Sequence, residues 1–173
     1  MLKTLQKIRR VGCVSEPPPA ASAAAAARER EALQGRILEI LGRALCIRVV
    51  DAGSCNACEL EINALGNPIY NIEGLGVRFV ASPRHADLLL VTGPVTRNMR
   101  EALLRTYEAT PDPKLVVAVG DCAATGGVFG ESGESLGRIS NVIPVDATIA
   151  GCPPSPTRLL AGLLTVIEAA RGA

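Results

Sequence analysis

Leu115-Val116-Val117-Ala118-Val119-Gly120-Asp121-Cys122 is the stretch of sequence that decides the fold. Five apolar residues in a row, with no polar alternation, predict a strand buried on both faces, which is typical of a parallel sheet covered by helices. A glycine ends the strand, and a cysteine follows two positions later. Because open α/β sheets bind ligands beyond the carboxyl ends of their strands, Cys122 stands where a functional site is expected.

Strand-like and helix-like segments alternate on both sides of this stretch. The predicted strands cover residues 47–50, 77–80, 88–91, 115–119, 142–145 and 147–149. Three helices are predicted. The first begins in the loop of Cys55 and Cys58 and runs to Leu65, and the second covers residues 96–107. The third begins after Ser155, which we expect to be an N-cap with Pro156 as the first helical residue. This alternation predicts βαβ units and a mostly parallel sheet.

The composition agrees with a single α/β domain and excludes several classes of function. The chain has 173 residues, of which 48% are hydrophobic but only 2% aromatic, so its core must be aliphatic. Its formal net charge is +1, which gives no indication of binding to nucleic acid or to an anionic membrane surface. The first residues lack the continuous apolar region of a secretory signal, so we expect a cytosolic protein with reduced thiols.

The domain is predicted to follow an N-terminal extension. Residues 1–44 combine a short basic amphipathic stretch, a linker rich in proline and alanine, and an amphipathic helix from about Arg28. The α/β domain is predicted over residues 45–173. No apolar run approaches the roughly 18 residues that a membrane span needs, so any membrane association is expected to come through partners.

Cysteines follow three of the predicted strands. Cys55 and Cys58 form a CxxC pair after the first strand, Cys122 follows 115–119, and Cys152 precedes Pro153 after the last strand. These loops meet at one edge of a parallel sheet, so four thiols are expected in one crevice. Four thiolates without histidine indicate an iron–sulfur cluster or a zinc ion.

The cysteine spacing favours a cluster over zinc but leaves the choice open. Zinc sites more often combine two short cysteine pairs, and this chain has only one. A cysteine before proline is also a habit of cluster ligands. Zinc, and thiols with a redox or structural role, remain alternatives. Cys13 in the linker and Cys46 at the start of the first strand are left out of the site, because a free cysteine in a strand usually behaves as a small core residue.

Five separate motifs then carry a resemblance to a known family. They cover residues 54–62 (SCNACELEI), 82–87 (SPRHAD), 91–95 (VTGPV), 120–122 (GDC) and 151–154 (GCPP). In this order they resemble the small, electron-transfer subunit of group 4 [NiFe] hydrogenases, of the formate hydrogenlyase and hydrogenase-4 type. That family is homologous to the 20 kDa subunit of NADH-quinone oxidoreductase (complex I). The complex I branch typically has two adjacent cysteines at the first motif, so CxxC favours the hydrogenase branch.

The resemblance implies an α/β, flavodoxin-like domain that holds one [4Fe–4S] cluster. The implied ligands are Cys55, Cys58, Cys122 and Cys152, and no catalytic residue is expected in this chain. The cluster would relay electrons between a ferredoxin-like iron–sulfur subunit and a [NiFe] large subunit, alongside membrane subunits of the same complex. The implied location is cytoplasmic, peripheral on the inner face of the cell membrane.

Two further residues are candidates on the strength of the resemblance. Glu61 occupies a place where the family has a recurring glutamate, and we expect either coupling of proton movement to cluster charge or a helix-start carboxylate that satisfies backbone N–H groups. Arg84 is expected to contact the cluster region or the large subunit, with an ion pair to Asp87 as the alternative. Glu59 is expected to face solvent or a subunit interface.

Two alternative functions remain at this point. The first is an electron-transfer subunit of a quinone-reducing complex akin to complex I, or of a hydrogenase-related complex whose large partner lacks nickel. The second, from a different class, is a structural zinc-binding protein.

Overall fold

The computed structural model describes residues 42–171 and, before them, positions 6, 9, 10, 28, 31, 32, 34, 35 and 39. The extension predicted over residues 1–44 lies almost wholly outside the described residues, as does Cys13, so that part of the domain division stays a prediction. From residue 45 onward the chain alternates between strand and helix, as its apolar pattern predicts.

Between residues 42 and 171 the structure has five strands and four α-helices. The strands are β1 (Leu45–Asp51), β2 (Val77–Phe79), β3 (Leu88–Thr92), β4 (Leu115–Val119) and β5 (Ala147–Ile149). The helices are α1 (Ala57–Ala64), α2 (Arg97–Ala109), α3 (Asp121–Thr125) and α4 (Pro156–Arg171). Short 3₁₀ turns cover Ile72–Leu75, Pro83–His85 and Ile139–Asn141.

All five strands pair in parallel, in the order β2-β1-β3-β4-β5. This is the flavodoxin-like order, so the predicted fold class is confirmed. The order reverses between β1 and β3, and at such a switch point the loops beyond the carboxyl ends of the strands separate to form a crevice. The carboxyl edge of the sheet therefore has the architecture of a ligand site.

Two apolar layers hold helices against the sheet. On one face, Ile47, Leu90 and Val117 pack against α1 and α4. On the other face, Leu89 and Val116 pack against α2 and the turn at Ile139–Asn141. Each of the five residues of β3 is buried, as expected for a strand with helices on both sides. This rigid centre fixes the ends of β1, β3 and β4, from which the site loops leave.

One predicted strand is wrong. Residues 142–145 form a turn after the 3₁₀ segment at Ile139–Asn141 instead of pairing with the sheet. Ile143 is only 3% exposed, because it packs beneath the sheet, and Pro144 has no N–H to donate to a neighbouring strand. The apolar character of the segment therefore reflects burial in the second layer. Ser155 is an N-cap as predicted, since its Oγ accepts from the Arg158 N–H at 3.4 Å.

Candidate metal centre

The four predicted ligands follow the carboxyl ends of three strands. Cys55 and Cys58 follow β1, with Cys58 in the first turn of α1; Cys122 is the second residue of α3, directly after β4; Cys152 follows β5. All four are free thiols, Cys58 and Cys122 half-buried and Cys55 and Cys152 exposed. Cys46 is also free, but it lies near the start of β1, at the opposite edge of the sheet.

In the loop that carries Cys55, two side chains accept hydrogen bonds from backbone N–H groups of the same loop. One carboxylate oxygen of Asp51 accepts from the N–H groups of Gly53 and Ser54, both at 2.7 Å. The Ser54 hydroxyl in turn accepts from the Asn56 N–H at 2.9 Å. Asn56 has a left-handed backbone with φ of 71°, a conformation that asparagine tolerates better than most residues. The chain thus turns sharply between β1 and α1, and the two cysteines lie on that turn.

Two glycines leave room for the thiols. A Cβ on Gly120 would lie 2.6 Å from the Sγ of Cys58, and a Cβ on Gly127 would lie 2.6 Å from the Sγ of Cys122. Both glycines also have positive φ, of +88° and +54° respectively, which residues with a Cβ rarely adopt. The backbone therefore forms a cradle around these two sulfur atoms, and a methyl group would fill it.

The loops that carry Cys122 and Cys152 are joined by a reciprocal pair of hydrogen bonds. The Asp121 N–H donates to the Gly151 carbonyl at 2.9 Å, and the Gly151 N–H donates to the Asp121 Oδ1 at 2.8 Å. Each bond involves the residue directly before a cysteine. The backbone beside Cys122 is therefore hydrogen-bonded to the backbone beside Cys152 through Asp121.

Burial and nearby negative charge raise the pKa of two of the thiols, Cys58 and Cys122. Burial raises the pKa of Cys58 from 9.0 to about 12, and the nearby Glu59 carboxylate and the other three cysteines contribute to the rise. Burial also raises the pKa of Cys122, with Cys152, Cys55 and Asp121 adding to the effect, while a hydrogen bond from the Val128 backbone N–H lowers it. Metals bind the thiolate, so loading this site must release protons.

The described side chains do not form a ready-made site for a single metal ion. Within the part of the chain that the structure describes, no three His, Cys, Asp or Glu side chains lie close enough together to hold a single metal ion. Four sulfurs around a tetrahedral zinc ion would be about 3.8 Å apart, since each Zn–S bond is about 2.3 Å. In a four-iron cluster each thiolate ligates a different iron, which requires a wider separation.

The two glutamates beyond Cys58 have different surroundings. Glu61 is half-exposed and lies three residues after Cys58, so the two share a face of α1. The expectation that the Glu59 carboxylate faces solvent is wrong, because its Oε1 accepts from the hydroxyl of the fully buried Thr92 and its Oε2 is buried without a partner among the described residues. A place for Glu59 at a subunit interface stays a prediction. Thr92 ends β3, and its contact draws the start of α1 toward the sheet.

The structure does not bring Arg84 to the cysteines. Arg84 is exposed in the turn that precedes β3, where it lines a cavity of about 750 Å³ at the amino edge of the sheet. The alternative that Arg84 pairs with Asp87 is also wrong. Asp87 accepts instead from the Arg43 guanidinium, at 2.5 Å and 3.0 Å, and from the Cys46 N–H at 2.9 Å. An interface role for Arg84 remains a prediction.

Sequence reasoning missed two contributors to the site, Asp121 and Thr92. Both lie within the quoted motifs, but their roles depend on contacts with other segments. Asp121 carries a local signal, since a carboxylate directly before a candidate ligand is well placed to accept from a neighbouring loop. The adjacent glycines Gly126 and Gly127 do indicate a close approach of the backbone, and Gly127 lies against the Cys122 sulfur.

Fold and site together define a class: a flavodoxin-like α/β domain with four thiols, from three loops, at the carboxyl edge of its sheet. A family profile, described as the 20 Kd subunit of NADH ubiquinone oxidoreductase, matches residues 55–166, which contain all four cysteines. The chain belongs to this family. Named relatives of the chain are subunits of oxidoreductase complexes.

Curated relatives and a solved structure support the resemblance to hydrogenase subunits. The chain is 46% identical over 143 residues to a probable membrane-bound hydrogenase subunit of Pyrococcus furiosus, covering 81% of this chain and 86% of that protein. It is 41% identical over 131 residues to formate hydrogenlyase subunit 7 of Escherichia coli, covering 76% of this chain but only 51% of that protein. A chain of the archaeal membrane-bound sulfane sulfur reductase superimposes with a TM-score of 0.68 at 31% identity, covering 82% of this chain and 77% of that one.

The resemblance predicted from the motifs is thus confirmed. The relatives are subunits of membrane-bound complexes, which makes other subunits the partners to expect. Among the described residues, no helix has both the length and the apolar character needed to cross a bilayer.

Proposed function

We propose that this chain holds one [4Fe–4S] cluster on Cys55, Cys58, Cys122 and Cys152. We propose further that it relays electrons between a ferredoxin-like iron–sulfur subunit and the [NiFe] large subunit of a membrane-associated hydrogenase complex. The observation that carries the proposal is the presence of four free thiols on three loops at one edge of the sheet. The chain itself performs no bond chemistry, and its contribution is to hold and position an electron carrier.

The residues present fit a cluster. The donor set is purely thiol, which suits iron–sulfur ligation. Gly120 and Gly127 leave space beside two of the sulfurs that a methyl group would occupy. A cluster bound here would supply a one-electron carrier; the four cysteines would give up their protons and hold it, and the glycine backbone would approach it closely.

Exposed apolar residues beside the cysteines support a partner at the same edge. Val128 is 93% exposed and Phe129 is 53% exposed, and the Val128 backbone N–H lowers the pKa of Cys122. Leu60, two residues after Cys58, is 60% exposed. We propose that Leu60, Val128 and Phe129, called here the apolar rim, contact the large subunit. That contact would exclude water from the cysteines.

Location and the remaining partners follow from the same proposal. The ferredoxin-like subunit and membrane subunits would complete the complex, with this chain peripheral on the cytoplasmic face of the membrane. Glu61, half-exposed on the cysteine face of α1, is proposed to couple proton movement to cluster charge. Arg84, at the amino edge of the sheet, is proposed as an interface residue.

The test is anaerobic purification of the complex, followed by iron analysis and EPR spectroscopy after reduction with dithionite. A signal from one reduced four-iron cluster that the Cys122→Ser substitution abolishes is the expected result. Cys46→Ser is the matched control, since Cys46 is also a free thiol but lies at the other edge, and it should keep the signal. A colourless chain that contains zinc would overturn the proposal in favour of a structural metal site.

A second candidate function is favoured by the superimposed archaeal structure. That chain belongs to a membrane-bound sulfane sulfur reductase, so a domain of this kind also occurs in complexes that are not described as hydrogenases. The alternative is an electron-transfer subunit of a nickel-free or quinone-reducing complex. Nickel analysis of the purified complex distinguishes the two, because only the hydrogenase requires nickel in the large partner.

A further inference from the structure

Asp121 joins the two loops that carry Cys122 and Cys152. Its N–H donates to the Gly151 carbonyl at 2.9 Å, and its Oδ1 accepts from the Gly151 N–H at 2.8 Å. Gly151 directly precedes Cys152, as Asp121 directly precedes Cys122. Two hydrogen bonds therefore connect the backbone next to one cysteine with the backbone next to another.

The side chain is needed because the strand ends here. The β4–β5 pairing finishes at Val119 opposite Ile149, and two more backbone bonds follow, from the Gly120 N–H to the Ile149 carbonyl at 2.8 Å and from the Asp121 N–H to the Gly151 carbonyl at 2.9 Å. The chain then enters α3 at Asp121, whose carbonyl accepts from the Thr125 hydroxyl at 2.8 Å. The Gly151 N–H lies beyond the last paired residue of β4, and the Asp121 carboxylate supplies its acceptor in place of a strand carbonyl.

We propose that Asp121 is a positioning residue that sets the placement of Cys152 relative to Cys122 through its acceptor bond to the Gly151 N–H. The inference rests on the proposed function, in that the group these cysteines are positioned for is the cluster. A hydrogen bond from a backbone N–H to a carboxylate is among the stronger kinds in proteins, so its loss should free the Cys152 loop. Cys152 and Pro153 are exposed, and the chain is buried again only at Pro154, so the Asp121 bond acts next to the exposed part of this loop.

The same pair of strands contains a matched control. At the amino end of β4, the Asp146 N–H donates to the Val116 carbonyl at 2.9 Å, and the Val116 N–H donates to the Asp146 Oδ2 at 2.7 Å. This is the same reciprocal arrangement between the same two segments, at the edge away from the thiols. Asp146→Ala should therefore cost comparable stability and leave the cluster site intact.

The experiment compares Asp121→Ala, Asp121→Asn and Asp146→Ala in the anaerobically purified complex. The measurement is the rate at which an iron chelator removes the cluster, followed by absorbance and by EPR. We expect the Asp121→Ala variant to lose its cluster about tenfold faster than the wild type, because one charged hydrogen bond is removed. Asp121→Asn keeps an acceptor oxygen and should restore most of the lifetime, and Asp146→Ala should match the wild type.

Two results would overturn the inference: equal rates for Asp121→Ala and Asp146→Ala, or an Asn variant as labile as the Ala variant. Should Asp121→Ala fail to fold, Asp121→Ser takes its place, since a serine hydroxyl is too short to reach the Gly151 amide. Amide exchange at Gly151 in the reduced, metal-free chain gives a readout independent of the cluster. If the wild-type complex contains no cluster, the proposed function fails. If the Gly151 amide of the Asp121→Ala variant exchanges at the wild-type rate, the proposed role of the Asp121 hydrogen bond fails, whether or not a cluster is present.

Discussion

At the scale of one residue, Cys58 shows how burial changes the chemistry of a candidate ligand. Its thiol is buried enough that its pKa rises to about 12, and the adjacent Glu59 carboxylate contributes to the rise. The folded, metal-free chain therefore holds a proton on Cys58 more tightly than the unfolded chain does. That difference stabilises the folded state only while the thiol remains protonated.

The stability of the metal-free chain should consequently fall in alkaline solution. The contribution of Cys58 is complete below the ordinary pKa of 9.0 and is lost as the pH rises from there toward 12. Urea unfolding of the reduced, metal-free chain at neutral pH and at several values above 9.0 measures it. The Cys58→Ser variant, which cannot ionise, should lose less stability over the same range. Parallel pH profiles for the two proteins would contradict this account.

Gly127 offers a second prediction at the residue scale. Gly127→Ala would place a methyl carbon 2.6 Å from the Cys122 sulfur, so we expect iron content after anaerobic reconstitution to fall severalfold. Gly130→Ala is the matched control, because Gly130 has a nearly identical φ of +53° but nothing within 4 Å of its added Cβ. Both variants would therefore carry the same backbone strain, but only Gly127→Ala would bring a methyl group against the Cys122 sulfur. Equal iron loss in the two would attribute the effect to strain.

At the scale of strands and helices, some elements can be predicted from the sequence and others cannot. The strand over Leu115–Val119 is predictable to its ends, because a fully apolar run bounded by glycine has few other interpretations. The short helix α3 is hidden in the glycine-rich segment after Gly120, since five residues are too few to show a helical period. The burial of Glu59 escapes prediction because its contact, the hydroxyl of Thr92, comes from a strand 33 positions along the chain. Side-chain partners of this kind depend on sheet order, which local patterns do not contain.

Helix α1 carries both Cys58 and Glu61, and this arrangement leads to a prediction at the element scale. A carboxylate one turn from a cluster ligand favours uptake of a proton when the cluster gains an electron. We expect Glu61→Gln to weaken the dependence of the cluster reduction potential on pH, as measured by redox titration with EPR at several pH values. Glu108→Gln, a change to an acid on α2, is the control and should leave the dependence unaltered. An unchanged dependence in the Glu61 variant would assign that residue a structural role.

At the scale of the whole molecule, the two edges of the sheet differ in character. The carboxyl edge carries the four thiols with exposed apolar side chains beside them. The amino edge carries paired charges, such as Arg43 with Asp87 and Lys114 with Asp112. Exposed apolar residues grouped beside a candidate site indicate a partner surface, whereas these paired charges of the amino edge already have partners within the chain.

Substitutions in the apolar rim should therefore weaken assembly. Phe129→Ser combined with Val128→Asp is expected to reduce co-purification of the large subunit with this chain at least severalfold, because the buried apolar contact is lost. Ile69→Ser is the control, since Ile69 is 73% exposed but belongs to the segment after α1, away from the cysteines. Pull-down from cells that express the complete complex measures the effect. Equal losses in both variants would point to general insolubility.

The distribution of the four thiols over three loops also has a consequence for biosynthesis. Cys152 follows the last strand, so a ribosome must have made nearly the whole domain before the fourth ligand exists. A cluster bound to all four would act as a covalent cross-link between the beginning, middle and end of the domain, and would close long stretches of chain at once. Insertion would thus be the final step of maturation, and a truncated or misfolded chain could never acquire a complete set of ligands.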